Sequence, residues 1–167
     1  SGRPLKAYGP QKFHTGSPRV IDERPGRGSE GIEESQIFLL HFDGDNDRVS
    51  LANNAWCQVE GIKEKIPLRF LTVEDTRAFV AKVPPHYQEW WGSRSRVKER
   101  RAASCARALP PGAKVQLVFA RTLASTTGVT SGADQVLEYQ VRPAFSASFA
   151  CLRENARQAC APMTAMR

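Results

Sequence analysis

The 167-residue sequence contains no apolar run that approaches the roughly 18 residues needed for a membrane-spanning helix. It also lacks a secretory signal peptide, and its first residue is Ser1 instead of methionine. We therefore expect a processed or excised piece of a longer protein. No glycine-rich phosphate loop occurs, because Gly26, Gly28 and Gly31 lack the strand-to-helix context that such a loop requires.

The sequence has few residues suited to catalysis. Its three histidines, His14, His41 and His86, lie on different predicted elements. No serine has the flanking sequence of a nucleophile elbow. A catalytic triad needs a nucleophile, a base and an orienting group within hydrogen-bond reach, and nothing in the sequence predicts that arrangement. We therefore expect a protein that is not an enzyme and that carries no cofactor.

One acidic turn has the initial spacing of a calcium loop. Asp43, Asp45 and Asp47 match its first three ligand positions. The loop then requires glycine at its sixth position and glutamate at its twelfth, where this sequence has Arg48 and Asn54. We therefore interpret the segment as a turn and expect no metal site.

The net charge of +7 is concentrated in residues 93–107, which contain six basic residues and one acid. The basic residues are Arg94, Arg96, Lys98, Arg100, Arg101 and Arg107. This segment is predicted to be a helix, because Ala102, Cys105, Ala106 and Leu109 have the spacing of one apolar stripe.

On this predicted helix, Arg96, Arg100 and Arg107 point away from the apolar stripe. They could form a solvated outer surface or an interaction face for an acidic partner or anionic lipid. A nucleic-acid partner is not expected, because no aromatic residues alternate with the basic ones and no known binding motif is present.

Outside this segment, apolar and polar residues mostly alternate, as is typical of half-buried antiparallel strands. Roughly seven short strands separated by turn signals predict a mainly β protein, an antiparallel β-sandwich. The predicted strands are 12–21, 36–42, 55–59, 66–71, 115–119, 137–142 and 145–149.

A two-helix insertion is predicted around residues 73–109, between the fourth and fifth of these strands. Thr72 and Asp75 resemble a capping box that begins the first helix, and the basic segment forms the second. Tyr87, Trp90 and Trp91 are predicted to lie in an irregular link between the helices. This aromatic cluster either packs the helices against the sheet or, as the alternative, forms a sugar or peptide platform.

The four cysteines are dispersed, and none forms a C-x-x-C motif. An even number of dispersed cysteines is typical of disulfides formed in an oxidising compartment, although free thiols in a reducing cytoplasm remain the alternative. Of the three pairings, we favour a local bond between Cys151 and Cys160, which leaves Cys57 to pair with Cys105.

Four stretches of the sequence resemble segments of bacterial α2-macroglobulins. They are GIEESQIFLL at 31–40, CQVEGIKEKIP at 57–67, LPPGAKVQLV at 109–118 and VRPAFSASFACLRENARQAC at 141–160. The most specific part is the spacing of Cys151, Asn155 and Cys160. Some members of this family carry a thioester in a Cys-Leu-Glu-Gln sequence, but here Cys151 is followed by Leu152, Arg153 and Glu154, so no thioester is expected.

The resemblance implies a periplasmic protein built from successive macroglobulin domains, each a fibronectin-like β-sandwich. Its parent would trap proteases and could be anchored to the inner membrane. In this interpretation residues 1–11 are a flexible tail and 12–142 are one macroglobulin-like domain. Residues 143–167 are either the first strand and disulfide loop of the next domain or a terminal extension.

The implied function is that of a non-catalytic structural and interaction module. Its implied partners are the neighbouring macroglobulin domains, target proteases through the parent protein, and penicillin-binding or other envelope proteins. The alternative is an independent secreted β-sandwich that binds a ligand or mediates adhesion. That alternative would use the aromatic cluster or the basic segment as its site.

Overall fold

The computed structural model describes residues 18–92 and 100–147, except for the side chains of residues 87 and 90–92. Within these ranges the protein is mainly β, with eight strands and three helices. The strands are β1 (Val20–Arg24), β2 (Glu30–Ile32), β3 (Ile37–Phe42), β4 (Ala55–Val59), β5 (Ile66–Phe70), β6 (Arg100–Cys105), β7 (Lys114–Phe119) and β8 (Gln135–Val141). The helices are α1 (Arg48–Asn54), α2 (Val73–Val80) and α3 (Pro85–Gly92).

The strands form one curled sheet in the order β1-β3-β6-β5-β4-β7-β8-β2. The sheet folds over at β5, where Ile66 and Pro67 pair with β4 while Leu68 to Phe70 pair with β6. The two halves therefore face each other as a β-sandwich, which confirms the predicted fold class. If β1 and β2 are counted as two parts of one strand, the strand order is that of an immunoglobulin-type sandwich.

Aromatic contacts fill the space between the two halves. The rings of Phe42 and Phe119 meet edge to face, with their centroids 5.8 Å apart. Phe38 and Tyr139 form a second contact across the core at 4.9 Å. All four side chains are buried, so they contribute both apolar burial and favourable ring geometry to the interior.

Gln135 closes the seam between β1 and β8. Its side-chain amide accepts a hydrogen bond from the Val20 N–H at 2.8 Å and donates one to the Val20 carbonyl oxygen at 2.7 Å. Both groups are buried. The amide therefore occupies the place that a backbone peptide of a pairing strand would take.

The first and last strands place their outer termini at opposite ends of the sandwich. Val20, where β1 begins, contacts Gln135, where β8 begins. Val141 ends β8 six residues further along, which corresponds to about 20 Å of extended chain. The preceding and following polypeptide thus attach at opposite ends of the domain.

The sheet is mixed, whereas the sequence predicted an antiparallel one, because β2 runs parallel to β8. The segment 22–35 is rich in glycine, proline and charge, which is typical of a loop, yet it contains part of β1 and all of β2. Short strands with few apolar residues give little alternation to detect, which explains the omission. Helix α1 was likewise not predicted; Asp47 caps it by accepting a hydrogen bond from the Ser50 N–H at 2.7 Å.

The predicted N-terminal cap of α2 is confirmed, although the Asp75 carboxylate accepts from the Thr72 hydroxyl and not from the Thr72 N–H that a full capping box uses. The Asp75 N–H donates to Thr72 Oγ1 at 3.1 Å, and the Thr72 hydroxyl donates to Asp75 Oδ2 at 2.8 Å. The prediction of a second helix is wrong for the described residues of this segment, because Arg100–Cys105 form β6. That strand pairs with β3 on one side and β5 on the other, so non-local sheet pairing overrides the helical spacing.

The described helical residues of the insertion therefore end at Gly92 rather than near residue 109. The link predicted to be irregular is helix α3, which contains residues 87, 90 and 91. At the chain ends, residues 1–17 and 148–167 lie outside the described part. The predicted strand 145–149 is not seen at residues 145–147, where Phe145 is almost fully exposed.

Candidate functional site

The disulfide between Cys57 and Cys105 connects the two halves of the sandwich. Cys57 lies in the middle of β4 and is fully buried, and Cys105 ends β6. Their Cα atoms are 6.0 Å apart, and the bond spans 48 residues of sequence. This pairing confirms one of the two predicted bonds; Cys151 and Cys160 lie outside the described residues.

The predicted interaction face of Arg96, Arg100 and Arg107 does not form on one helix. Arg100 begins β6 opposite His41 and is buried, with 8% exposure. Arg107 follows the strand and pairs with Glu64, with 3.3 Å between Arg107 Nη1 and Glu64 Oε2. Arg96 lies outside the described residues. The strand geometry of β6 explains the difference, since successive residues point to opposite sides of a sheet.

Tyr87, Trp90 and Trp91 share helix α3. Their side chains lie outside the described part of the structure, so the proposed aromatic platform remains a prediction. The structure instead shows a surface trough that the sequence did not single out.

A trough lined by polar side chains, here called the polar trough, lies on the outer surface of β2, β8, β7 and β4; it is open to solvent and has a volume of about 700 Å³. Its floor is formed by side chains from adjacent strands. Gln58, Gln116 and Glu138 are cross-strand neighbours and form one row of this floor. The β4–β5 turn at residues 60–63 and the β1–β2 connection at Gly28 also line the trough. This volume is in the range of small-molecule sites.

Three glutamine amides in the trough are held by internal hydrogen bonds. Gln58 Nε2 donates to the Ile62 carbonyl oxygen at 2.8 Å, and Gln116 Nε2 donates to Glu138 Oε1 at 2.9 Å. The third, Gln140, donates from Nε2 to the carbonyl oxygen of Gly112. These bonds favour one orientation of each amide; the Gln58 bond is partly buried, whereas those of Gln116 and Gln140 are exposed to water.

The charges of the trough nearly balance. Its lining carries three carboxylates and two ammonium groups. The acids are Glu30, Glu60 and Glu138, and the bases are Lys63 and Lys114. Among the described residues, no group of three or more histidines, cysteines or acids is placed to hold a metal ion. The arrangement is therefore suited to hydrogen bonding with a ligand of little net charge.

An apolar row adjoins the trough on the same outer surface. Trp56, Val118 and Val136 are cross-strand neighbours. Each lies two residues along its own strand from Gln58, Gln116 and Glu138, respectively. The Lys65 ammonium group lies 3.7 Å from the centre of a Trp56 ring, a cation–π contact. The polar floor thus continues into a surface with exposed apolar groups.

The alternation of residues in β4, β7 and β8 was the available signal for this site. It identified the core-facing positions correctly, but the polar positions between them were interpreted only as solvent-facing. The amide-rich composition of adjacent outward positions becomes informative only once the strand register is known.

Separate from the trough, the carboxylate of Glu23 is buried in the sandwich. Glu23 is 4% exposed, and its carboxylate accepts hydrogen bonds from Arg27 Nε at 2.7 Å and Arg27 Nη2 at 3.0 Å. This hydrogen bond, with the Glu23 charge, raises the pKa of Arg27. Burial, followed by the charge of Glu23, raises the pKa of Tyr139 far above its usual value near 10. The Tyr139 hydroxyl has no hydrogen-bond partner among the described residues.

Replacing Tyr139 with phenylalanine is expected to preserve the free energy of unfolding at about pH 7, or to raise it by about 1 kcal/mol, because the buried hydroxyl is unpartnered. Since the folded-state pKa is raised, ionisation of Tyr139 costs the wild type no stability below about pH 10, and above that pH the unfolded state ionises first, so the wild-type free energy of unfolding falls as the pH rises further. The variant should therefore lose less stability than the wild type between about pH 7 and pH 11. Urea unfolding at both pH values measures this, and a clear loss at neutral pH would show that the hydroxyl makes a stabilising bond.

No family model matches the chain, and no curated protein matches it. Among solved structures, it is similar to the N-terminal part of the bacterial S-layer protein SbsC, with 15% identity and a TM-score of 0.44 over 75% of this chain and 24% of that one. The S-layer protein rSbsC(31-844) is 16% identical, with a TM-score of 0.44 over 83% of this chain and 16% of that one.

CopC from Methylosinus trichosporium OB3b is 12% identical, with a TM-score of 0.45 over 77% of this chain and 97% of that one. The chain spans less than a quarter of the two S-layer chains. At these values the similarities assign no function to the chain. No helix among the described residues is long and apolar enough to cross a membrane.

Proposed function

We propose that this chain is a non-catalytic structural and interaction module of a bacterial α2-macroglobulin-like envelope protein whose parent traps proteases. The four stretches that resemble this family support the assignment. The observation that carries the structural role is the placement of Val20 and Val141 at opposite ends of the sandwich. Neighbouring domains attached at both ends would extend in a line, with this domain as a strut between them.

The disulfide supports an oxidising location for this module. Cys57 and Cys105 form a bond across the core, and such bonds persist in the periplasm or outside the cell. In this proposal the module resides in the periplasm, as part of a parent that is held in the cell envelope. Its direct partners are the neighbouring macroglobulin domains, and proteases are engaged through the parent.

The proposal is tested on the full-length protein encoded by the gene that contains this segment. Mixed with trypsin, the parent should suppress digestion of casein while leaving hydrolysis of a small chromogenic peptide largely intact, because a cage excludes only macromolecules. The 167-residue chain alone is the control and should change neither rate. A parent without effect on casein digestion, or inhibition by the isolated chain, would contradict the assignment.

One observation favours a second candidate function, that of a secreted ligand-binding β-sandwich. The polar trough holds three internally hydrogen-bonded amides in a concavity of about 700 Å³, which a purely structural module does not need. In this candidate the site is the trough, in place of the aromatic cluster or the basic segment that the sequence suggested.

A further inference from the structure

We propose that the polar trough binds a short neutral oligosaccharide. The proposal goes beyond the strut role and does not depend on it, because the trough lies on the outer surface of β2, β8, β7 and β4. The trough adjoins the end of the sandwich at which β8 ends, because Gln140, Lys114 and the turn at residues 60–63 line it.

The hydrogen-bonding groups of the trough match those of a sugar. Gln58, Gln116 and Gln140 each use Nε2 to bond to the protein. Among the described residues, the Oε1 atoms of these three amides have no partner, and each Nε2 keeps a second N–H. Each amide can thus accept and donate at once. Adjacent hydroxyls on a pyranose ring also accept and donate, so the two sets are complementary.

Glu138 adds a carboxylate to this row. Its Oε1 accepts from Gln116, while Oε2 has no hydrogen-bond partner among the described residues. Glu30 and Glu60 line the same concavity, so acceptors outnumber donors in the lining. A ligand rich in O–H donors satisfies this excess, as a sugar does.

The charge distribution argues against ionic ligands. The lining carries three carboxylates and two ammonium groups, so an anionic polymer gains no net attraction and meets three like charges, while a strongly cationic peptide meets two. A neutral ligand avoids both penalties and gains from the polar groups of either sign.

The shape of the floor argues against an extended peptide. Peptides bound along a sheet gain specificity from pockets for alternate side chains. The aliphatic floor residues Val59 and Val115 point into the core, with 1% and 0% exposure, and so form no such pockets. At the side of the trough, Val118 and Val136 instead provide a shallow apolar surface, which suits the C–H face of a sugar ring, while Lys65 covers one face of the neighbouring Trp56 ring.

The test is an NMR titration of the purified, disulfide-intact chain with cellotriose, maltotriose and chitotriose. At least one trisaccharide is expected to shift the side-chain amide signals of Gln58, Gln116 and Gln140, with saturation by about 10 mM ligand. These signals report directly on the groups that the proposal assigns. Absence of shifts with all three trisaccharides would overturn it.

Matched glutamine variants locate the site. Gln116→Ala should weaken the binding of the responding trisaccharide roughly fivefold or more, as expected for the loss of one amide contact. Gln88→Ala is the control, because Gln88 is an exposed glutamine on α3 that does not line the trough. Unchanged backbone spectra away from each substitution verify folding. Equal weakening by both variants would contradict the assignment.

Two further probes separate this ligand class from the others. Inorganic tripolyphosphate and an uncharged polyalanine-based peptide should leave the three amide signals unshifted at the same concentration. Saturable shifts with either probe, combined with none from the trisaccharides, would replace the oligosaccharide with that other class and overturn the proposal.

Discussion

Replacing both Cys57 and Cys105 with alanine is expected to lower the free energy of unfolding by about 4 kcal/mol. The bond closes a loop of 48 residues that contains β5, α2 and α3. Without it, the unfolded chain regains the conformational freedom that the closed loop removes, so the unfolded state is favoured. Guanidinium unfolding of the oxidised wild type and the variant measures the difference.

Reduced wild-type protein is the control for this experiment, compared with the double variant under the same reducing conditions so that the predicted Cys151–Cys160 bond is open in both samples. It keeps both sulfur atoms in place, so it lacks the small cavity that alanine creates at the buried Cys57 position. A stability close to that of the double variant would attribute the loss to the cross-link, whereas a stability close to that of the oxidised protein would attribute it to the cavity. A loss below about 1 kcal/mol in both samples would contradict the predicted contribution.

The Gln135→Leu variant is expected to lose about 2 to 4 kcal/mol of unfolding free energy. Leucine has a similar size, but it removes both hydrogen bonds to the backbone of Val20. The Val20 N–H and carbonyl oxygen then remain buried without partners, and each unsatisfied group carries a desolvation cost. Urea unfolding gives the loss in stability, and hydrogen exchange at the Val20 amide should accelerate.

Gln116→Leu is the matched control for Gln135→Leu. It removes a glutamine from a neighbouring strand, but its bond goes to the side chain of Glu138 on the outer surface, where water can replace it. Its loss should stay within about 0.5 kcal/mol. Similar losses in the two variants would mean that the seam between β1 and β8 does not depend on the Gln135 amide.

The strands with strong alternation were predicted well from the sequence. The predicted strands 55–59 and 115–119 correspond to β4 and β7, and the continuous apolar run in 36–42 corresponds to the buried β3. Strands β4 and β7 have a distinct environment on each side, so the two-residue period is visible in the sequence itself, whereas β3 is buried on both sides and is recognised by its continuous apolar run. The N-terminal cap of α2 was predicted for a similar reason, since both of its partners are local.

The basic segment could not be assigned from the sequence alone. Ala102, Cys105, Ala106 and Leu109 fit a helical stripe, yet Ala102 and Ala103 are both buried within β6. Small residues satisfy either period, so the choice depended on pairing with β3 and β5, which are distant in sequence. Because the segment was wrongly assigned as a helix, the interaction face deduced from the helical spacing was wrong as well.

The trough and the seam were missed because both depend on register. Gln58, Gln116 and Gln140 become neighbours only when their strands are aligned, and Gln135 meets Val20 across 115 residues of sequence. A glutamine in a strand usually indicates a solvent-facing position, whereas Gln135 is buried by its backbone contacts. No local pattern distinguishes these cases.

The parallel pair formed by β2 and β8 determines how the domain would carry mechanical load. The Gln140 N–H donates to the Ser29 carbonyl oxygen, and the Arg142 N–H donates to the Ile32 carbonyl oxygen, both at 3.0 Å. Tension applied between the two ends of the sandwich runs along these strands, while the bonds lie across them. In the proposed strut these bonds would be sheared together instead of being peeled apart one by one, so the three-residue strand β2 would act as a mechanical clamp on β8.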